Sequence, residues 1–439
     1  MTQVPFASFQ HQIKHAKTAD GLRIYGRVAQ VVGLVIESTG PDAKIGDICS
    51  IELGSKNDVR AEVVGFRNSR LLLMPFGEMN GVRAGCVVRN TAHALLAPAG
   101  DSLLGRVLNG LGDPIDGAPI GDVDRVSIYQ DAPDALRRRM ITAPMQTGVK
   151  AIDALSTIGI GQRIGVFSGS GVGKSTLLGM IARSTRADVN VIALIGERGR
   201  EVREFIQNDL GEEGLRRSVV VVATSDQPAL VRIKAAFTAT AIADWFRRHG
   251  RNVMLMMDSI TRFATAQREL GLAIGEPPST RGYTPSVFAI LPKLLERAGN
   301  SDVGSVTGIY TVLVEGDDNN EPVADTARSI LDGHIVLDRR LANSGHYPAI
   351  DVCGSLSRVM ANIVDSAHVS AANRFRELVT AYREIEELVA IGAYQQGAKP
   401  LADEAIAKWP RISGFLRQTK DEAAPLEQTV NELMEIVNG

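Results

Sequence analysis

The sequence is poor in cysteine, in aromatic residues and in long apolar runs. The shortages of cysteine and of long apolar runs each exclude a class of protein. Its three cysteines, Cys49, Cys86 and Cys353, lie far apart with no paired spacing, which argues against a disulfide framework and against a zinc site. No run approaches the ~18 apolar residues of a membrane-spanning helix, and the N-terminus lacks the pattern of a secretory signal. We therefore expect a cytoplasmic protein that is at most peripheral to a membrane.

An excess of charge of either sign is also missing. The chain has 48 Lys and Arg against 50 Asp and Glu, a net charge of −2, which offers no global attraction to nucleic acid or anionic lipid. Any polyanion must therefore be bound locally. Glycine is abundant instead, at 43 of 439 residues, and the length predicts roughly three domains at about 100 to 200 residues each.

Near the N-terminus, an apolar stripe recurs at helical spacing. Its members are Phe6, Phe9, Ile13 and Ala16, and polar residues occupy the intervening positions. These spacings place the stripe on one face of a short helix. The stripe fits equally well a leader that docks on its own domain and a tether for a partner helix.

Three patterns follow along the rest of the chain. Residues 22–75 alternate short apolar runs with Gly, Pro, Asn and Asp, a pattern typical of a small β-barrel or sandwich. Residues 147–337 alternate near-continuous apolar strands with longer helical patterns, which predicts a largely parallel α/β sheet covered on both faces. From Arg358 onward the period is helical, with a stripe that includes Phe375 and Leu378.

A glycine-rich segment, Ser168 to Thr176 (S-G-S-G-V-G-K-S-T), follows an apolar strand and precedes a helix-forming run. A phosphate-binding loop requires that context, because glycines let backbone N–H groups converge on phosphate oxygens at a helix N-terminus. Lys174 would reach the β and γ phosphates, and the Ser175 hydroxyl would face Mg²⁺. Ser168 departs from the strict pattern, which has glycine there. The predicted nucleotide-binding residues of the loop are Gly169, Ser170, Gly171, Val172, Gly173, Lys174, Ser175 and Thr176.

Charged residues follow two other apolar strands. Asp258 ends the run N-V-M-L-M-M-D, where a carboxylate at a strand tip can hold the water shell of Mg²⁺. Glu197 follows V-N-V-I-A-L-I-G and would polarise the water that attacks the γ phosphate, while Arg198 would stabilise charge on the phosphoryl oxygens. We predict a nucleoside triphosphate site in which Lys174, Glu197 and Arg198 are catalytic and Ser175 and Asp258 face the metal.

Together these motifs resemble a known family. G-E-R-G-R-E, the glycine-rich loop, M-M-D-S-I-T-R-F-A and P-A-I-D-V-C-G-S-L-S are similar to the catalytic subunits of rotary ATP synthases. G-L-G-D-P-I-D-G, P-S-T-R-G-Y-T-P-S-V-F and D-G-H-I-V-L-D-R-R-L most resemble the flagellar and injectisome type III secretion ATPases within that family. The resemblance covers nearly the whole chain from about residue 22, and it shifts the interpretation of the N-terminal stripe toward a tether.

The resemblance implies roles for two further residues. Tyr347, in G-H-Y-P-A, falls where the family stacks an aromatic ring on adenine. Arg358 matches the arginine finger that enters the site of a neighbouring subunit. The same resemblance implies phosphate and Mg²⁺ binding by Lys174 and Ser175, a water-activating role for Glu197, and a carboxylate at Asp258 that holds the water bound to the metal.

The expected architecture is multidomain, with a small N-terminal β-barrel, a central α/β RecA-like P-loop ATPase domain and an α-helical C-terminal domain. The expected boundaries are 1–20 for a partner-binding helix, 21–90 for the barrel, 91–360 for the ATPase domain and 361–439 for the helical domain.

The resemblance implies an enzyme that converts MgATP to ADP and phosphate and energises flagellar type III protein export. It further implies a homohexamer and a cytoplasmic location at the inner-membrane export apparatus. The implied partners are a stator-like regulator at the N-terminal helix, a central stalk protein, the export gate and chaperone–substrate complexes, with no nucleic acid.

Several alternatives are weighed against this function. Glu197 opposes a noncatalytic nucleotide-binding subunit, and the N-terminal stripe disfavours the synthase subunit itself. An RNA-translocating ring ATPase of the transcription-terminator type needs an RNA-binding front end, yet residues 22–75 show no basic run interleaved with aromatic residues. Service in an injectisome stays open beside the flagellar function.

Overall fold

The computed structural model describes residues 24–54, 58–314 and 321–439. The predicted partner-binding helix at residues 1–20, with the stripe from Phe6 to Ala16, lies outside the described residues. The chain divides into two compact units, with the boundary between Leu95 and Leu96.

The described part of the first unit is a closed barrel of antiparallel strands. Alternate side chains, among them Val28, Ile36, Cys49 and Leu73, point inward and form its core. The strands are β1 (Gly26–Val32), β2 (Val35–Thr39), β3 (Asp47–Ile51), β4 (Val59–Arg67), β5 (Arg70–Pro75) and β6 (Val87–Ala94). Their order around the barrel is β1-β2-β5-β4-β3-β6, and β6 closes it against β1.

The barrel unit extends past the predicted boundary at residue 90. Strand β6 continues to Ala94, which pairs with Asp47 of β3. The residues after 90 therefore complete the hydrogen-bond ladder of the barrel, and the unit ends at Leu95.

The second unit is built on a mostly parallel sheet. Its strands are β7 (Leu96–Ala99), β8 (Val107–Asn109), β9 (Asp124–Ser127), β10 (Arg163–Ser168), β11 (Val189–Ile195), β12 (Ser218–Ala223), β13 (Asn252–Asp258), β14 (Gly299–Asn300), β15 (Ser305–Leu313), β16 (Gly333–Leu337) and β17 (Leu356–Ser357). The sheet order is β17-β16-β10-β15-β13-β11-β12-β8; β14 pairs with β15, and β7 and β9 form a separate ribbon. Strands β10, β15, β13 and β11 run parallel, so their carboxyl ends share one edge of the sheet.

Helices pack against this sheet and follow it. In chain order they are α1 (Lys150–Leu155), α2 (Lys174–Ser184), α3 (Gly199–Glu204), a π-helical turn (Phe205–Leu210), α4 (Gly211–Arg216), α5 (Ala229–Arg248), α6 (Ile260–Ala273), α7 (Pro285–Leu295), α8 (Pro322–Ile330), α9 (Arg339–Asn343), α10 (Met360–Ile363), α11 (Ser366–Ala390), α12 (Pro400–Leu416) and α13 (Leu426–Asn438), with 3₁₀ turns at Asp101–Leu103 and Thr280–Gly282. No helix within residues 24–54, 58–314 and 321–439 is long and apolar enough to cross a membrane.

The C-terminal helices bury the predicted stripe. Phe375 and Leu378 of α11 are fully buried, and Tyr382 stacks on Trp409 of α12 with ring centroids 3.6 Å apart. Pro410 lies inside α12, although proline is disfavoured in a helix interior. The lost backbone hydrogen bond is tolerated because buried side chains anchor α12 on both sides of Pro410.

Candidate active site

The predicted phosphate-binding loop connects strand β10 to helix α2. Gly171 and Gly173 have φ values of 79° and 90°, a left-handed conformation that glycine adopts without a steric penalty. The loop opens on a cavity of about 700 Å³. Its lining includes Gly169, Ser170, Gly171, Gly173, Lys174, Ser175 and Thr176 of the loop, together with Glu197, Glu201, Arg198, Arg262, Leu313, Val314 and Arg339.

Val172 has a different position in the loop from its neighbours. Its side chain belongs to the hydrophobic core below the loop, so only its backbone faces the phosphate side of the structure. The hydroxyl-bearing Ser175, by contrast, is exposed at the cavity.

Lys174 lies between two carboxylates at the floor of this cavity. Its Nζ is 2.6 Å from Oδ1 of Asp258 and 3.5 Å from Oε1 of Glu197. The three side chains are only 12%, 4% and 13% exposed in the order Lys174, Asp258, Glu197. They meet because α2 starts after β10, Asp258 ends β13 and Glu197 follows β11 at the same sheet edge.

This ion cluster shifts the proton affinities of its members. Burial and, to a smaller degree, the charge of Asp258 raise the pKa of Glu197 to about 7, against the opposing charge of Lys174. Burial lowers the pKa of the Lys174 ammonium, but the carboxylates of Asp258 and Glu197 raise it by more, so its net shift is upward. Glu197 can therefore accept and release a proton close to neutral pH, which suits a general base.

Asp258 has one oxygen engaged by the protein. Its Oδ1 pairs with Lys174 and accepts a hydrogen bond of 2.7 Å from the Thr311 hydroxyl of β15. The Asp258 side chain is 4% exposed and is not among the residues that line the cavity, so it would act on a metal-bound water from behind Lys174. Mg²⁺ is usually held through one or two carboxylates and substrate phosphates and keeps several waters, so Ser175 and Asp258 fit that donor set.

Arg198 lies at the rim of the cavity. It precedes α3, is 74% exposed and pairs with Glu201 across 2.9 Å. Its guanidinium is close to the loop residues but is bound to a carboxylate in this arrangement, and a triphosphate would have to compete for it.

Two arginines that the sequence analysis did not single out also line the cavity. The side chain of Arg262 packs on Gly196, where an added Cβ would lie 2.9 Å from it. Arg339 lies over Gly169, with its guanidinium 2.7 Å from the position of an added Cβ. Arg262 stands within the motif M-M-D-S-I-T-R-F-A, so its motif was a usable signal, whereas nothing local distinguishes Arg339 from Arg340.

A second cavity, of about 500 Å³, adjoins the other end of the loop. Tyr347 lines it, is 48% exposed, and places its ring 3.5 Å from the position of an added Cβ on Gly173. We refer to this space as the base cavity and to the first as the phosphate cavity. The base cavity is completed by a segment from the C-terminal region, Arg417 to Glu422, most of which lines it.

Gln418 ties that segment to the rest of the base cavity. Its backbone N–H donates to the Tyr347 carbonyl (3.0 Å), and its Oε1 accepts from the Lys150 N–H (2.9 Å). Its Nε2 donates to the carbonyls of Gly148 (2.8 Å) and Glu422 (2.9 Å). The sequence analysis missed Gln418, because no local motif marks a side chain whose partners lie so far away in the chain.

Arg358 belongs to neither cavity. It follows β17 at the edge of the sheet, is exposed, and donates to the backbone carbonyl of Arg328 (3.3 Å). The structure thus assembles the loop, Glu197 and Arg198 around one cavity and buries Asp258 behind Lys174, with which it forms an ion pair. It places Tyr347 beside this cavity and leaves Arg358 apart.

Family models match three parts of the chain. Residues 148–357 match the nucleotide-binding domain of the ATP synthase alpha/beta family, and residues 28–92 match the beta-barrel domain of that family. Residues 364–435 match the T3SS EscN ATPase C-terminal domain. The predicted architecture of a barrel, a nucleotide-binding α/β domain and a helical C-terminal region is confirmed.

Whole-length relatives agree with these matches. The flagellum-specific ATP synthase of Bacillus subtilis is 55% identical over 97% of this chain and 98% of its own length. The type 3 secretion system ATPase of Xanthomonas euvesicatoria is 52% identical over 95% of each chain. A solved structure of the assembled ATPase EscN from the type III secretion system of enteropathogenic E. coli superposes with a TM-score of 0.89 at 47% identity, covering 94% of this chain and 100% of that one.

The chain belongs to the ATP synthase alpha/beta family, in the branch of the flagellum-specific ATP synthases and the type 3 secretion system ATPases. The predicted family resemblance is therefore confirmed.

Proposed function

We propose that this chain hydrolyses MgATP to ADP and phosphate and that the hydrolysis energises protein export through a flagellar type III secretion apparatus. The observation that carries the catalytic part is the buried Glu197 carboxyl, which lies 3.5 Å from Lys174 in the phosphate cavity and has a pKa of about 7. Service in an injectisome is the second candidate, favoured by the similarity to the type 3 secretion system ATPases.

The residues of the phosphate cavity then have distinct tasks. Loop N–H groups and Lys174 bind the phosphate oxygens, and Glu197 takes a proton from the attacking water. The water oxygen bonds to the γ phosphorus as the bond from that phosphorus to the β–γ bridging oxygen breaks, and ADP leaves with that oxygen. Arg198 stabilises charge on the phosphoryl oxygens. Ser175 and Asp258 would hold Mg²⁺, which neutralises charge on the phosphates when it is bound.

The base cavity takes the adenine. The Tyr347 ring offers a flat apolar surface beside the loop, and aromatic faces stack on bases. The loop and Tyr347 together would therefore hold the two ends of one nucleotide.

Arg358 acts on the nucleotide of a neighbouring subunit. It lies outside both cavities of its own chain, so its contribution requires heterologous contacts that close into a ring. We infer a homohexamer with a site at each interface. An arginine supplied in trans accelerates other nucleoside triphosphatases by about 10³ to 10⁵.

The remaining partners follow from the family. EscN has been solved in complex with its central stalk EscO, and we propose that a stalk protein occupies the same role here. A stator-like regulator at residues 1–20, the export gate and chaperone–substrate complexes complete the proposed set, without nucleic acid. The enzyme would work in the cytoplasm at the inner membrane.

A subunit-mixing experiment tests hydrolysis at shared sites. Glu197→Gln and Arg358→Ala should each retain ATP binding and lose about 10²-fold or more of the turnover of the assembled enzyme. An equal mixture should recover about a quarter of the wild-type rate, because some interfaces combine an intact Glu197 with a neighbour's intact Arg358.

The matched control mixes Glu197→Gln with Lys174→Ala. Both changes lie in the same cavity of one chain, so no interface in that mixture is complete and no activity should return. Full turnover by Glu197→Gln alone, or equal recovery in both mixtures, contradicts the proposed mechanism.

A further inference from the structure

A third cavity lies against the opposite end of the phosphate loop from Tyr347. It has a volume of about 330 Å³, and its lining includes Phe167 and Ser168 of β10 and three arginines, Arg328, Arg339 and Arg340. At about 30 Å³ per liquid water, the space accommodates a tetrahedral anion with part of its hydration shell.

Ser168 lines this cavity and carries a hydroxyl without a hydrogen-bond partner within the described residues. The residue is 2% exposed. Its backbone is already engaged, because Ser168 pairs with β15 and β16 on either side. A buried hydroxyl without a partner is uncommon. The Ser168 Oγ is shielded from solvent, so an anion in the cavity would gain its hydrogen bond once the side chain turns toward the cavity.

Arg339 supplies the positive charge. Its guanidinium lies over Gly169, and among residues 24–54, 58–314 and 321–439 no hydrogen-bond or ion-pair partner engages it. The neighbouring Arg340 differs, since it pairs with Asp338 across 3.4 Å. The carboxylate of Asp338 also lines the cavity. Its pairing with Arg340 and the hydrogen bonds by which it caps α9 offset its negative charge.

The third cavity communicates with the phosphate cavity. Gly169, Val314 and Arg339 line both spaces, so one guanidinium faces the γ-phosphate side of the loop and the third cavity. The base cavity lies at the Gly173 end, which separates the nucleoside from this region. Of the products of hydrolysis, inorganic phosphate is therefore the one that forms beside the third cavity.

We propose that the third cavity is a binding site for the inorganic phosphate released by hydrolysis, held by the Arg339 guanidinium and the Ser168 hydroxyl. The proposal rests on the proposed ATP hydrolysis. The third cavity is a separate space from the phosphate cavity, so its loss should weaken the binding of free phosphate more than the binding of ATP.

The test compares Arg339→Gln and Ser168→Ala with Arg340→Gln as the matched control, all in the full-length chain. Binding of radiolabelled inorganic phosphate is measured with saturating MgADP, and ATP binding is measured separately. Arg339→Gln should raise the Kd for phosphate about tenfold, which corresponds to about 1.4 kcal/mol, and Ser168→Ala about threefold. Arg340→Gln should change it less than about twofold, because its charge is already paired.

The Kd for ATP separates this site from the γ-phosphate position. In Arg339→Gln and Ser168→Ala it should rise by a smaller factor than the Kd for phosphate, and an equal loss of ATP and phosphate affinity would assign Arg339 to bound ATP and overturn the proposal. An unchanged Kd for phosphate in both Arg339→Gln and Ser168→Ala, or no phosphate binding by the wild type, also overturns it. Hydrolysis by the wild type is measured in parallel. A wild type that binds ATP but does not hydrolyse it contradicts the proposed function itself, whereas a hydrolysing wild type without phosphate binding contradicts only the phosphate site.

Discussion

The phosphate cavity and the base cavity are built in different ways, although they share one loop. The phosphate cavity takes its charged residues from the ends of neighbouring parallel strands, where Lys174, Glu197 and Asp258 lie within ion-pair distance. The base cavity joins Tyr347 to a segment from the far C-terminal region, and hydrogen bonds of Gln418 hold the two together. One site is fixed by sheet topology and charge, and the other by neutral hydrogen bonds over a long stretch of chain.

The difference predicts unequal tolerance to change. A buried charge that loses its partner is costly because water cannot replace the interaction. A neutral hydrogen bond contributes only about 1 kcal/mol net. Substitutions in the phosphate cavity should therefore affect the chemical step strongly, whereas those in the base cavity should affect nucleotide affinity moderately.

The largest effect is expected for Lys174→Ala. The variant loses the cation proposed to bind phosphate oxygens and leaves Asp258 and Glu197 without their shared partner. We expect the steady-state ATPase rate to fall about 10³-fold. Lys420→Ala, which removes a lysine from the base cavity, is the matched control, and its effect should stay below about tenfold and lie in KM. Equal losses of ATPase rate in the two variants would contradict the expected difference between the phosphate cavity and the base cavity.

An effect of intermediate size is expected in the pH dependence of the reaction, which tests the Glu197 carboxyl of the phosphate cavity. Glu197 must be ionised to accept a proton, and its raised pKa of about 7 keeps part of it protonated at neutral pH. We expect kcat/KM to level off above that pKa and to fall toward about tenfold per pH unit below it. The profile is measured under conditions in which the ring stays assembled. An inflection near the ordinary glutamate pKa, around 4.3, would show that Glu197 does not titrate as its burial requires.

The smallest effect is expected for Gln418→Ala. This change removes the side-chain hydrogen bonds to Lys150, Gly148 and Glu422 but no group that touches phosphate. The KM for ATP should rise about three- to tenfold with kcat within about twofold, because the side chain holds the cavity wall and not the nucleotide. Gln428→Ala, at an exposed position of α13, is the control and should leave both constants unchanged. A fall in kcat without a change in KM would contradict this prediction and would link Gln418 to the chemical step.

The same contrast explains what could be predicted from the sequence. The loop from Ser168 to Thr176 carries its own local signal, and Asp258 and Glu197 are recognisable because each directly follows an apolar run. Parallel pairing then brings such strand ends to one edge, so a pattern along the chain becomes a cluster in space. The barrel and the parallel sheet were likewise predictable from alternating and continuous apolar runs.

Other features depend on contacts that no local pattern records. The end of the barrel after residue 90 follows from the pairing of β6 with β3. Pro410 stays within α12 because packing on both sides outweighs a local preference. Gln418 and Arg339 look like ordinary polar residues until the fold places one against Tyr347 and the other over Gly169. The roles proposed for Tyr347 and Arg358 stay predictions.

The segment from Arg417 to Glu422 is both a wall of the base cavity and the connection between α12 and α13. A force or a ligand that displaces these helices must therefore reshape the space beside the loop, and a nucleotide that fills the space must resist the displacement. Thermodynamic linkage makes the two effects equal in free energy. The position of the C-terminal helices and the binding of a nucleotide in the base cavity would therefore be coupled directly, through the hydrogen bonds that Gln418 makes to backbone carbonyls. This coupling requires no moving domain between them.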